Sequence, residues 1–188
     1  MRKIEPIDPF FKDCPYAIGM ASSDQYVPYL AVYLQSIIDH AQPTNYYDIV
    51  VFETDISEEN KQRIQSLAVH PNLSIRFFNL HQVFDRNLYI SQPHFAKQCY
   101  YRLALGKAFK KYQKVIFTDI DILAVSDIFE LFQIDMQGSA IGACEEILWT
   151  PTNRKGLKQL NYKIEDYIPE VLKLSGPYYN TGVMLIDI

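Results

Sequence analysis

The sequence predicts an α/β fold built on a mainly parallel central sheet flanked by helices. Two observations carry this expectation. Short apolar runs that stop at polar clusters alternate with segments whose apolar residues recur at helical spacing, the rhythm of a parallel sheet covered on both faces. The length, 188 residues, suits one domain with a substantial core.

Tyr16 to Ser22 reads as a buried strand that ends at the polar cluster Ser23-Asp24-Gln25. Pro28 opens a helix, because its missing N–H is not needed in a first turn. Leu30, Tyr33, Leu34, Ile37 and Ile38 give that helix one apolar face, and the stretch from His40 to Thr44 ends it. Tyr47 to Thr54 is a second strand. Ser57 caps a second helix, with Glu58 and Glu59 near the positive end of its dipole and Ile64, Leu67 and Ala68 on its buried side. Leu73 to Leu80 is a third strand, a helix follows from about Phe95 to Phe109, and Val115 to Phe117 is a fourth strand. Ile141 to Cys144 and Gly182 to Ile186 are two more strand candidates. Glu145 to Pro177 breaks the rhythm, and a loop-rich insertion there is a natural place for substrate contacts.

Composition narrows the function classes. A net charge of −4 gives no electrostatic footprint for nucleic acid or for an anionic membrane surface. Cys14, Cys99 and Cys144 fit neither a disulfide framework nor a zinc spacing, and read as reduced thiols of a cytoplasmic protein. Residues 1–14 lack the apolar core of a secretory signal and form an N-terminal extension; no apolar run reaches transmembrane length. Peripheral membrane association of a full-length form stays open, as does the oligomeric state. Fourteen Tyr and eleven Phe suit stacking on bases or sugars, though they suit an aromatic core equally.

The strongest chemical feature is Asp119-Ile120-Asp121, delivered by the apolar run Val115-Ile116-Phe117. Alternate residues of an extended chain point to the same side, so the two carboxylates can converge on one object at the C-terminal end of a parallel strand, where α/β folds bind ligands. Two such carboxylates repel, and a divalent cation relieves the repulsion. Oxygen ligands select Mn²⁺ or Mg²⁺, either of which also holds a diphosphate. Taken alone, one Asp could equally cap a helix while the other makes a turn.

In this order the motifs resemble those of glycosyltransferase family 8. Ala21-Ser22-Ser23-Asp24-Gln25-Tyr26 is similar to the family's opening S-D-x-N-Y, whose aspartate bonds the uracil edge and whose tyrosine stacks on it; Gln25 departs from the pattern. Tyr100-Tyr101-Arg102-Leu103 resembles the Y-x-R-L segment, whose arginine approaches the donor sugar or diphosphate. Asp119-Ile120-Asp121 matches the family's D-x-D. Gly142-Ala143-Cys144-Glu145-Glu146 resembles the strand with an acidic acceptor-site residue, Glu146 being the better aligned and Glu145 the spare. Asn180-Thr181-Gly182-Val183 resembles the N-[AST]-G-V strand, whose Asn bonds acceptor hydroxyls or orients the sugar. Read singly, Asp24 is also a turn residue, Tyr26 a surface ring, Arg102 a snorkelling surface side chain and Glu146 a solvated strand end.

The resemblance implies a GT-A type nucleotide-sugar-binding domain over residues 15–188. It implies a retaining transfer of hexose from UDP-glucose or UDP-galactose to a glycan or other hydroxyl acceptor, assisted by Mn²⁺ or Mg²⁺. Donor contacts fall on Ala21, Ser22, Asp24, Tyr26, Arg102, Asp119, Ile120 and Asp121, metal ligands on Asp119 and Asp121, and catalytic roles on Asn180, Glu146 and Arg102. The family's later H-x-x-G-x-x-K-P-W segment has no match among His40, His70, His81 and His94, all upstream of Asp119. The expectation is therefore a catalytic domain without its C-terminal part, binding UDP weakly and transferring slowly or not at all. Two rival readings stay open. One is a non-catalytic nucleotide-sugar-binding fragment. The other is a phosphatase of the haloacid-dehalogenase type, against which Ile122-Leu123 stand where that signature carries Gly-Thr.

Overall fold

The computed structural model describes residues 4–80, 97–146 and 179–188. Within them the chain runs β1 (Tyr16–Ala21), α1 (Val27–His40), β2 (Tyr47–Glu53), α2 (Glu58–Gln65), β3 (Leu73–Asn79), α3 (Leu105–Ala108), β4 (Lys114–Thr118), β5 (Ile141–Glu145) and β6 (Tyr179–Asp187). The strands form one sheet in the order β3-β2-β1-β4-β6-β5. β3, β2, β1 and β4 are parallel, and β6 joins β4 and β5 antiparallel.

The strands are apolar on both faces because both faces are covered. Ile18, Ile49, Val51, Ile116 and Leu185 pack with Leu30, Tyr33, Leu34 and Ile37 of α1 and Ile64 of α2. Their neighbours Ala17, Val50, Phe52, Val115, Phe117 and Met184 face the other way, onto Tyr101, Leu105, Ala108 and Phe109. Alternation along each strand thus feeds two cores, the pattern of a buried parallel sheet. The Ser57 hydroxyl caps α2 by accepting from Asn60 N–H, and Pro28 sits in the first turn of α1.

Two elements differ from the sequence-based expectation. The segment Lys97–Ala104 is a 3₁₀ helix, and only Leu105–Ala108 is α-helical; the expected start at Phe95 lies outside the described residues. Tyr101, Ala104, Leu105 and Ala108 are nonetheless buried at helical spacing, so the apolar face was real while the hydrogen bonding was not that of one α-helix. Gly106 is a weak helix former in this stretch. The N-terminal segment is also more integrated than an extension. Ile4 is buried, Ile7 N–H donates to Ala108 C=O at 2.7 Å, and Phe10 N–H donates to the Asp48 carboxylate at 2.9 Å. The rhythm-breaking stretch after Glu146 and before Tyr179 lies outside the described residues.

Candidate active site

The strand order places β1 between β2 and β4, so the chain leaves β1 toward one edge and returns on its other side at β4. Such a switch point opens a crevice at the C-terminal ends of the two strands. A cleft of about 420 Å³ lies there. From the β1 side it is lined by Ala21, Ser22, Ser23, Tyr26 and Tyr29, from the β4 side by Thr118, Asp119, Ile120 and Asp121, and Arg102 reaches it from the 3₁₀ segment. A larger apolar groove of about 700 Å³ adjoins it along α1 and shares Tyr29, Ile120 and Asp121; among the described residues the last is its one charged lining residue.

Asp119 is the first residue past β4. Its N–H donates to Gly182 C=O at 2.8 Å, one more rung between β4 and β6. The backbone then bends through Ile120 and Asp121. The two carboxylates therefore share the cleft by a turn after the strand, where strict alternation along an extended strand was expected. Arg102 Nη2 donates to Asp119 Oδ1 at 3.2 Å, and Arg102 Nη1 donates to the Thr181 carbonyl at 3.3 Å and to the Thr181 hydroxyl. The guanidinium also stands over the Phe117 ring, 5.8 Å from its centroid. Its Nε is buried and has no acceptor among the described residues. Burial raises the Asp119 carboxyl above the usual aspartate range; Arg102 pulls it down and the Asp121 charge pushes it up.

A glycine is required opposite this pair. A Cβ at Gly182 would stand 2.9 Å from Asn180 Oδ1 and 3.1 Å from Asp119 Oδ2. Asn180 is fixed at both ends of its amide. Its Oδ1 accepts from Gly182 N–H at 2.8 Å, and its Nδ2 donates to Glu146 Oε2 at 2.8 Å. Glu145 pairs with Tyr179 at the irregular end of β5, leaving Glu146 as the acid beside Asn180.

Asp24 is placed differently from the rest. Its Oδ1 accepts from Ser57 N–H at 2.9 Å, Ser57 Oγ at 3.0 Å and Asn60 Nδ2 at 2.8 Å, and it is not among the residues lining the cleft. These bonds, Ser57 N–H foremost, hold its carboxyl below the usual range. Ser23, one residue earlier, lines the cleft. Tyr26 is on the cleft wall, 43% exposed, with the Tyr29 ring 5.9 Å away. Sequence reasoning missed Ser23, Tyr29 and Thr181. Ser23 and Tyr29 carry usable signals, the first as the second of two serines just after β1 and the other as a second ring in the first turn of α1, three residues after Tyr26. Thr181 carries none without its partner.

Asp119 and Asp121 fit a divalent ion that completes its shell with donor phosphates. They are oxygen ligands lining one cleft, and two carboxylates plus phosphates is a common Mg²⁺ pattern. Among the described residues no group of three His, Cys, Asp or Glu side chains forms a metal site. No helix among the described residues is long and apolar enough to cross a membrane.

Known proteins carry the same architecture. The profile of glycosyl transferase family 8 matches residues 17–188. A protein of Haemophilus influenzae Rd is 28% identical over 172 residues, covering 91% of this chain and 48% of the relative. The structure of the galactosyltransferase LgtC, solved with donor and acceptor sugar analogs, superposes with a TM-score of 0.66 at 25% identity over 91% of this chain and 57% of that one. The bifunctional glycosyltransferase WbbM superposes with a TM-score of 0.75 at 25% identity, over 97% of this chain and 33% of that one. The chain thus spans about half the length of the curated relative, and its sheet is that of the GT-A enzymes. The match leaves the phosphatase reading without support.

Proposed function

The chain belongs to glycosyl transferase family 8, and on that premise we propose that it binds a UDP-sugar and serves the metal-assisted, retaining transfer of a hexose to a glycan or other hydroxyl acceptor. The observation that carries this reading is the cleft at the β1/β4 switch point, where an exposed aromatic ring, a serine turn, paired carboxylates and a guanidinium face one space. Tyr26 offers a flat apolar face for the base, and the turn of Ala21, Ser22 and Ser23 lies beside it. Asp24 acts here as a positioning residue, tying the turn to the N-terminus of α2. Asp119 and Asp121 would hold Mn²⁺ or Mg²⁺, and a bound ion would supply the positive charge that screens a departing diphosphate. Arg102 adds a permanent, planar cation at the same end. Asn180 and Glu146, already bonded to each other, can bond sugar hydroxyls from the β6 side.

The donor is UDP-galactose or UDP-glucose, the former favoured by the likeness to a galactosyltransferase. A thermal-shift panel of UDP, UDP-galactose, UDP-glucose and GDP with Mn²⁺ tests the donor class. Stabilisation by the uridine nucleotides alone is expected. A preference for GDP contradicts the placement of a uracil base against Tyr26 and the turn beside it.

A further inference from the structure

We propose that Arg102 is the resident counter-cation of the carboxylate pair, parked on Asp119 while the pair holds no ion, and that Thr181 is the positioning residue that keeps the guanidinium in the cleft when a divalent ion takes Asp119. This rests on the metal and donor sites proposed above. The observation behind it is an uneven set of bonds. The contact from Arg102 Nη2 to Asp119 Oδ1 is 3.2 Å, long for a charge-assisted bond. Nη1 has two acceptors on Thr181, its carbonyl at 3.3 Å and its hydroxyl. The buried Nε has none among the described residues, so no bond there is lost if the side chain shifts.

Among the described residues the guanidinium thus makes two bonds to Thr181 and a ring contact with Phe117, and one bond to the carboxylate, so most of its contacts survive the loss of Asp119 Oδ1. A cation arriving at Asp119 competes with Arg102 for Oδ1 and repels it. Thr181 and the Phe117 ring keep their hold, so Nη2 stays in the cleft and becomes free for a donor oxygen. The neighbouring Gly182 carbonyl fixes Asp119 N–H. Consecutive residues of β6 thus position both members of the ion pair, Thr181 the guanidinium and Gly182 the Asp119 backbone. Arg102 thus offsets the charge of the carboxylate pair without an ion, and turns to the donor once an ion is bound.

The test is Mn²⁺ binding followed by the paramagnetic resonance signal of free Mn²⁺, without nucleotide, beside Mn²⁺-dependent UDP-galactose binding by calorimetry. Arg102→Met should tighten nucleotide-free Mn²⁺ binding by about three- to fivefold, the size of a partly exposed ion pair. The same variant should weaken donor binding by about tenfold or more, as loss of a charged hydrogen bond does. Thr181→Val removes only the hydroxyl and should move both quantities in the same two directions by about twofold, while Thr181→Ser should match wild type in both. Loss of packing alone does not move two affinities in opposite directions. Unchanged or weakened Mn²⁺ binding in Arg102→Met, or Thr181→Val indistinguishable from wild type, overturns the proposal while leaving the metal site standing. Failure of the wild type to bind Mn²⁺ even with UDP present refutes the metal site itself, and this proposal with it.

Discussion

Gly182→Ala is the smallest change that should separate the site from the fold. The added Cβ would stand 2.9 Å from Asn180 Oδ1 and 3.1 Å from Asp119 Oδ2. Carbon atoms in real proteins do not approach at the first distance, so something must give. Both obstructing atoms are side-chain termini, and Asn180 Oδ1 is also the acceptor for Gly182 N–H. Moving the amide breaks that bond, worth about 1 kcal/mol, and pulling a side chain off its rotamer adds about 0.5–1.5 kcal/mol. The two together amount to about 2 kcal/mol, enough to lower the melting temperature by a few degrees without unfolding the domain. The functional effect should be larger in proportion. Displacing the Asp119 carboxylate by a few tenths of an ångström disturbs a site that tolerates little misplacement, and Mn²⁺-dependent UDP affinity should fall by about tenfold. Calorimetric titration and a thermal melt on the same preparation give both numbers. Wild-type UDP affinity in Gly182→Ala would refute the claim that Asp119 is set by its approach to β6.

Three further outcomes rest on other contacts of the fold. Asp48, 1% exposed, accepts from Arg76, the Tyr112 hydroxyl and Phe10 N–H. Asp48→Ala strands these donors and should cost about 3 kcal/mol in urea unfolding, with the donor site untouched in the folded fraction. Ser57→Ala removes the α2 cap and one of the bonds to Asp24. It should cost about 1 kcal/mol by the same assay, and no change would show that water replaces the cap fully. The third outcome concerns pH. Asp119 has a folded-state pKa above its ordinary value, so the folded chain keeps a proton that the unfolded chain releases. Its contribution to stability falls as pH rises from the ordinary aspartate value through the raised one. Asp119→Asn escapes this loss, and its melting temperature relative to wild type, without metal, should be more favourable at about pH 7 than at about pH 4. A difference that shrinks with rising pH reverses the sign and contradicts the burial argument.

The sheet was legible because each strand fills two cores at once. Val115, Ile116 and Phe117 are all apolar because one faces α1 and the others the 3₁₀ segment, and that signal is local. The carboxylate pair was legible for the same reason, since a strand must end where its apolar run ends. The segment from Lys97 to Ala108 was misread because burial at helical spacing constrains which side chains face the core and not which carbonyl each N–H reaches. Asp24 shows a different case. Its partners Ser57 and Asn60 lie 33 and 36 residues away, and no local pattern announces that a loop carboxylate will also brace a distant helix. Thr181 was invisible likewise, because its importance comes entirely from Arg102, 79 residues earlier. Motif spacing could place Asn180 and Gly182 in one strand. Only the fold shows that the glycine makes room for Asp119.

The most direct measurement is calorimetric titration of UDP into the protein with Mn²⁺ and then with a chelator, repeated on Asp119→Asn. Paired carboxylates that hold an ion against a diphosphate predict binding at least about tenfold tighter with Mn²⁺, and a loss of that difference in the variant. Equal UDP affinity with and without the ion, or full Mn²⁺ dependence in Asp119→Asn, would contradict the assignment of the β4 carboxylates as the metal site.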